Sequence, residues 1–369
     1  MNPGKQEMTS RERALAVYNF QETDVPCFDL MEGTVWPELK EDFDKKYHMS
    51  DPEQIQTALG SDFRWTIFRS SYSPVPVPED IKNNDSGKSF SDETGFRMLK
   101  NVETVAQVRE IMGQMDPENI ELPDFKAFRQ KYPDKALICC PGWMPAFSGA
   151  CNDFGMVKAL SLMASEPEII HEYVKLKSRY VVGLIKRCIA AGAAKYCDFL
   201  WLGDDFAGES SLLISPKMWR QLFKPALKEQ VHEARNAGLM VMFHSCGDVT
   251  AVYEDFIEIG INAHIGVQTS CPDMSPEQLA AKIGGRLVIH GGVDAQKTLV
   301  DGDFDEVVSQ TKRNLKAFSK CGGYVVSNSH HGMPDIGAEK IVAMSVAAGR
   351  WDFSTGFHTE YMDSIYVKD

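Results

Sequence analysis

No apolar run in this sequence of 369 residues approaches membrane-spanning length; the longest, such as Phe199-Leu-Trp-Leu202, are a handful of residues, where a spanning helix needs about 20. No apolar stretch near the N-terminus resembles a signal peptide, so a cytoplasmic location with no membrane partner is the expectation. Positive charge is scarce: 39 Lys and Arg stand against 52 Asp and Glu, for a formal net charge of −13. Nucleic acid requires a positive surface and is excluded as a partner on that balance, and a polyanionic substrate is disfavoured. The nine cysteines are an odd number in no regular framework. That argues against a disulfide scaffold and for reduced thiols, with residues such as Cys139 and Cys140 serving as small core side chains. A G-x-G-x-x-G phosphate loop following a strand is also missing, which weakens an open doubly wound sheet as the fold.

What is present is an alternation of strand and helix patterns. A hydrophobic content of 43% is that of an ordinary globular chain. Thr9 and Glu12 form a capping-box pattern ahead of a short leading helix. Val25 to Met31 reads as a first strand, and Asp51-Pro52 opens a helix that stops near Gly60. Between residues 66 and 100 the pattern breaks: Ser73-Pro-Val-Pro-Val-Pro78 suits neither a helix nor a central strand. Ser89-Phe90 is expected to pair with Phe96 to Leu99 as a small antiparallel hairpin. Further strands read at Ala136–Cys140, Phe199–Gly203, Val241–His244, Ala263–Val267, Leu287–Gly291 and Tyr324–Ser327, with an eighth near Asp62 to Ile67. Helices are expected near Phe154 to Met163, from Pro167 to about Ala191, from Ser215-Pro216 to Gly238, at Tyr253–Ile259, after Ser275-Pro276, at Phe304–Phe318 and from Ala338 to Ala348. This spacing predicts a (β/α)8 TIM barrel formed by a single domain over residues 1–369, with an N-terminal helix and the inserted hairpin at about 66–100.

In such a barrel the active site lies at the C-terminal ends of the strands. Reading those ends in order gives Glu32, Trp143, Asp204 and Asp205, His244 with Cys246, Gln268, His290 and His330. The most specific stretch is Val241-Met-Phe-His-Ser-Cys-Gly-Asp248. His244 and Cys246 stand two apart where a strand ends, so both side chains point to one face, and an imidazole beside a thiolate begins a zinc site. His330 ends another strand and offers a third ligand, or a proton-transfer group. Asp204 and Asp205 offer a carboxylate ligand or proton acceptor, or merely a polar turn. Glu32, Trp36, Trp143, Gln268 and His290 are candidates for holding a substrate. Each of the five has a plainer reading as a loop acid, a core aromatic or a partner of the barrel backbone.

These residues resemble the uroporphyrinogen decarboxylase superfamily, which includes zinc-dependent corrinoid methyltransferases. The resemblance spans nearly the whole chain from Arg11-Glu-Arg-Ala-Leu15 onward. It is most specific at Phe243-His-Ser-Cys-Gly-Asp248, His290-Gly-Gly-Val-Asp294 and Gly322-Gly-Tyr-Val-Val-Ser-Asn-Ser-His330; Ser215-Pro-Lys-Met-Trp219 and Pro225 also match. It implies a (β/α)8 barrel. The decarboxylases carry an Arg-rich loop after the first strand that grips substrate carboxylates. Here that loop is Leu30-Met-Glu-Gly-Thr-Val-Trp36, with no Arg, which speaks against a porphyrinogen substrate. The methyltransferases bind zinc through a His-x-Cys pair, matched by His244 and Cys246, and a distant Cys. That distant position falls on His330, which is also a His in the decarboxylases; Cys321 comes too early to replace it.

One thiolate with two imidazoles would leave zinc at +1, a stronger Lewis acid towards oxygen than a two-thiolate site. The resemblance therefore implies zinc held by His244, Cys246 and His330, with an acid from Glu32, Asp204 or Asp205. The expected activity is transfer of a methyl group from a small methyl ether or related compound to a separate corrinoid protein, since no corrinoid-binding domain is evident. Two other readings stay open. One is a metal-free decarboxylase using His330 with Asp204 or Asp205; the other is a barrel that only binds a ligand. The aromatic tail near Trp351, Phe353, Phe357 and Tyr361 would cover either a homodimer interface or the chain's own barrel.

Overall fold

The computed structural model describes residues 7–33, 35–68, 98–332 and 334–355. Its strands are β1 (Cys27–Phe28), β2 (Phe63–Ile67), β3 (Ala136–Cys140), β4 (Phe199–Gly203), β5 (Met240–His244), β6 (Ala263–Val267), β7 (Val288–Val293) and β8 (Tyr324–Asn328). All pairings are parallel, in the order β1-β8-β7-β6-β5-β4-β3-β2. Helices fill the connections, which makes this the expected (β/α)8 barrel. Between β1 and β2 there is no ladder. Asp62 closes that seam: its N–H donates to the Phe28 carbonyl at 2.8 Å, and its Oδ2 accepts the Phe28 N–H at 3.0 Å. The first strand is shorter than Val25 to Met31 because Pro26 has no N–H to give and the chain turns into a short 3-10 segment at Met31–Gly33.

Alternation along each strand separates two hydrophobic layers. Ala136, Ile138, Phe199, Trp201, Met242, Ala263, Ile265 and Val325 pack together inside the barrel with Ala14, Val17 and Tyr18 of the helix Ser10–Tyr18. That helix, opened by the expected capping box, plugs the barrel; the Tyr18 ring centre is 4.5 Å from that of Phe199. Leu137, Cys139, Leu200, Leu202, Val241 and Phe243 face the other way, under the surrounding helices. His244 therefore continues the inward row of Met240 and Met242.

Two expected helices are each divided. Ser215 caps Pro216–Leu222, but a second helix, Lys224–Asn236, begins beyond Phe223. Pro225 is the reason, since it lacks an N–H and its ring disfavours a helical residue before it. The segment near Phe154 is two helices, Phe147–Phe154 and Met156–Ser165, which meet at Gly155 with φ 86°. The expected hairpin lies outside the described residues except for Met98 and Leu99, which belong to a turn. Trp351 is buried against its own barrel, 5.7 Å from the ring of Tyr47; Phe357 and Tyr361 lie outside the described residues. No described helix is long and apolar enough to cross a membrane.

Candidate metal centre

The inward row of β5 carries His244 to the mouth, and Cys246 follows on the same side. Cys246 Sγ lies 3.4 Å from His244 Nε2. Asp205, two residues beyond the end of β4, brings its Oδ1 to 3.5 Å from the same Nε2 and accepts the Cys246 N–H at 2.7 Å. The three donor atoms all fall within 4.8 Å of one another. Around a tetrahedral metal with bonds of about 2.0–2.3 Å, ligand atoms stand roughly 3.3–3.7 Å apart, a spacing that His244 Nε2 already has to both Cys246 Sγ and Asp205 Oδ1. The loops after β4 and β5 are zipped together around it: Asp204 N–H donates to His244 O at 3.0 Å, and Asp248 N–H to Gly208 O at 2.8 Å.

The protonation states suit a metal as well. Burial, with His330 and His331 nearby, pushes the His244 pKa down to about 3, so the imidazole is neutral and free to ligate. Burial, then the Asp205 carboxylate, pushes the Cys246 thiol well above its usual range. A divalent cation is what would convert it to thiolate. Nitrogen, sulfur and oxygen donors with a fourth direction open match catalytic zinc sites.

The opposite edge of His244 is set by Gly266. This residue sits at a register shift in β6 with φ +78°, and a Cβ there would come within 2.7 Å of both His244 Cε1 and Nδ1. Bulges of this kind re-aim side chains beside active sites. We expect Gly266→Ala to displace the imidazole and weaken zinc binding by about 10–100-fold, measured by zinc retention during dialysis against a chelator.

The other expected residues are distributed unevenly. His330 faces the group from across the mouth, its ring centre 6.3 Å from that of His244, while its Nδ1 lies 3.2 Å from the His331 carbonyl; it stands outside the cluster of three. Asp204 is committed elsewhere. It accepts N–H bonds from Ala146, Phe147 and Ser148 at 3.0, 2.6 and 2.9 Å and the Ser148 hydroxyl at 3.0 Å, which caps the helix Phe147–Phe154. Gln268 accepts the Gly247 N–H and so holds the turn after Cys246. Glu32, at φ 60°, has its carboxyl pushed up to about 7 by burial, then by Asp205 and Asp29.

Trp143 lies 5.6 Å from the His244 ring. Trp36 does not join it: its ring lies on Gly332, where a Cβ would overlap it at 1.6 Å, and it belongs to the outer layer. His290 is wholly buried within the barrel, with Nε2 3.1 Å from Asp29 Oδ2 and Nδ1 3.2 Å from Tyr18 Oη. Asp29 in turn accepts the Trp65 indole N–H at 3.3 Å. Trp201 was not singled out from the sequence, yet its ring is 6.2 Å from His244 and 5.9 Å from Trp143. Alternation from Phe199 would have pointed it inward. Trp65, 6.5 Å from Trp201, extends the same wall.

The sequence profile of the family described as uroporphyrinogen decarboxylase (URO-D) matches residues 147–351. No curated protein matches the chain significantly. Among solved structures, a methyltransferase from Methanosarcina mazei superposes with a TM-score of 0.62 at 16% identity, over 93% of this chain and 99% of that one. At that identity the likeness is one of fold. A D-psicose 3-epimerase from Clostridium cellulolyticum H10 superposes with a TM-score of 0.36 at 13% identity, over 85% of this chain and 88% of that one, too loosely to bear on function.

Proposed function

Because this chain belongs to the uroporphyrinogen decarboxylase family, we propose that it is a zinc-dependent methyltransferase of that family, moving a methyl group from a small methyl ether or related compound to a separate corrinoid protein. The observation that carries the reading is the convergence of Asp205, His244 and Cys246 at the barrel mouth. Those three residues would hold the metal, and His330 faces its open side as a fourth ligand or a substrate contact. Zinc, when bound, supplies a Lewis acid towards an ether oxygen. One carboxylate, one thiolate and a neutral imidazole balance a divalent cation, so the expected +1 site gives way to a neutral one.

The remaining work falls to this chain's side chains. Methyl transfer breaks the C–O bond and forms a C–Co bond on the partner's reduced cobalt, whose electron pair makes that bond. The departing oxygen keeps the old pair and needs a proton. Glu32, its pKa raised to about 7, holds such a proton near neutral pH. Trp65, Trp143 and Trp201 form an apolar wall that keeps water from the reacting carbon. Asp204 holds the wall's flanking helix in place.

The test combines metal analysis with a methyl-transfer assay using a reduced corrinoid protein and a panel of methyl ethers. One zinc per chain and methylation of cobalt are expected. Carbon dioxide release from an organic acid by metal-free protein would instead favour the decarboxylase reading.

A further inference from the structure

A ligating imidazole is ordinarily oriented by a hydrogen bond to its second nitrogen. His244 has no such bond: its Nδ1 is buried without a hydrogen-bond partner among the described residues. Something else must fix the two ligands of β5 relative to each other. The peptide between them belongs to Ser245, and its carbonyl oxygen lies 2.9 Å from Nε2 of His264. His264 is wholly buried on the outward-facing row of β6, with Ala263 and Ile265 on the inward row. Its Nδ1 is 3.0 Å from Tyr253 Oη.

The tautomer follows from donor and acceptor roles. A carbonyl can only accept, so Nε2 carries the proton; Nδ1 then accepts from the tyrosine hydroxyl. The ring is also packed edge-on, 5.6 Å from Tyr253 and 6.2 Å from Phe256. A single directed chain therefore runs from Tyr253 through His264 to the carbonyl that separates His244 from Cys246.

We infer that His264 is a positioning residue for the metal centre. Its ring held in place by the Tyr253 hydroxyl on Nδ1, it fixes the Ser245 carbonyl and through it the spacing of His244 Nε2 and Cys246 Sγ. This rests on the zinc reading above. It uses a residue that touches neither metal nor substrate, on the face of β6 away from the mouth.

The test is zinc affinity of the purified full chain, by competition with a chromophoric chelator, together with the visible spectrum of the cobalt(II)-substituted protein. His264→Phe keeps a ring and removes the donor; it should bind zinc about 10–100-fold more weakly and shift the cobalt bands. His264→Gln restores a donor of similar reach and should recover most of that loss. Tyr253→Phe, which removes the hydrogen bond that anchors Nδ1 while keeping the ring at 253, should fall between, and it serves as the readout if His264→Phe does not fold. Wild-type affinity and an unchanged cobalt spectrum in the folded variants would overturn the inference.

If the wild type holds no zinc, the zinc reading fails, and the clamp is judged on the metal-free protein by the alkylation rate of Cys246, followed by peptide mass spectrometry. A several-fold change in His264→Phe that His264→Gln reverses supports it; equal rates in all three overturn it.

Discussion

Cys246→Ala protein should purify without stoichiometric zinc and transfer no methyl group, while unfolding at close to the temperature of the metal-stripped wild type. Losing one ligand of a zinc site that binds with about 10–16 kcal/mol shared among four donors costs on the order of 10²–10³ in affinity. Cys246 packs at the mouth and not in the core, so little stability goes with it. The informative comparison is between adjacent acids. Asp205→Ala should also lose the metal, because Asp205 Oδ1 is the atom that faces His244 Nε2 at 3.5 Å. Asp204→Ala should keep the metal and lose stability instead, by about 2–4 kcal/mol, because its carboxylate satisfies three N–H groups at the start of a helix. His330→Ala should retain zinc within about tenfold if His330 supplies at most an outer contact. Metal analysis and thermal melts on the four variants separate these roles. Stoichiometric zinc surviving in Cys246→Ala and Asp205→Ala alike would sink the metal centre.

The adjacent acids also mark where reading the sequence stops. Strand period two is a local rule, so it correctly put His244 and Cys246 on one face and their donor atoms came out 3.4 Å apart. The same rule spaced the strands well enough to give the barrel. It does not say which of two consecutive acids turns inward beyond the end of a strand, because that depends on what each meets. Asp204 meets three free N–H groups of a helix that begins 57 residues earlier, and no local pattern announces that encounter. His290 illustrates the same limit from inside the barrel. It reads as a strand-end residue, but the plug helix brings Tyr18 to one ring nitrogen and β1 brings Asp29 to the other. Trp201 was legible in principle, since alternation from Phe199 fixes its direction; a buried strand of large apolar residues simply gives no reason to single one out.

The seam between β1 and β2 carries the largest expected effect on stability. Everywhere else the barrel wall is held by ladder hydrogen bonds, but here side chains do much of the joining: Asp29 accepts from Ser61 Oγ at 3.4 Å and from the Trp65 indole at 3.3 Å, and Asp62 binds Phe28 through both its backbone and its carboxylate. Asp62, with no exposed surface, accepts Arg13 Nη1 at 2.6 Å and Arg350 Nη2 at 2.9 Å on Oδ1, and the Phe28 N–H at 3.0 Å on Oδ2. It thus ties the plug helix, the first strand and the C-terminal segment to the start of β2. Removing one partner of a buried charged network leaves the others desolvated and uncompensated, which costs about 3–5 kcal/mol. Asp62→Ala should accordingly lower the melting temperature by about 4–6 °C in a chain of this length. Asp62→Asn keeps one acceptor oxygen, for the arginines or for Phe28, while its NH2 faces the other donor and the charge is gone, so it should cost somewhat less than Asp62→Ala. Arg13 retains Asp24, which it meets at 2.8 Å through both Nε and Nη2, so the damage should concentrate at Arg350 and the seam. Hydrogen exchange should then show faster opening of β1 and β2 in Asp62→Ala, with β5 and β6 unchanged; uniform acceleration across the barrel would mean that Asp62 supports the whole fold and not a local closure.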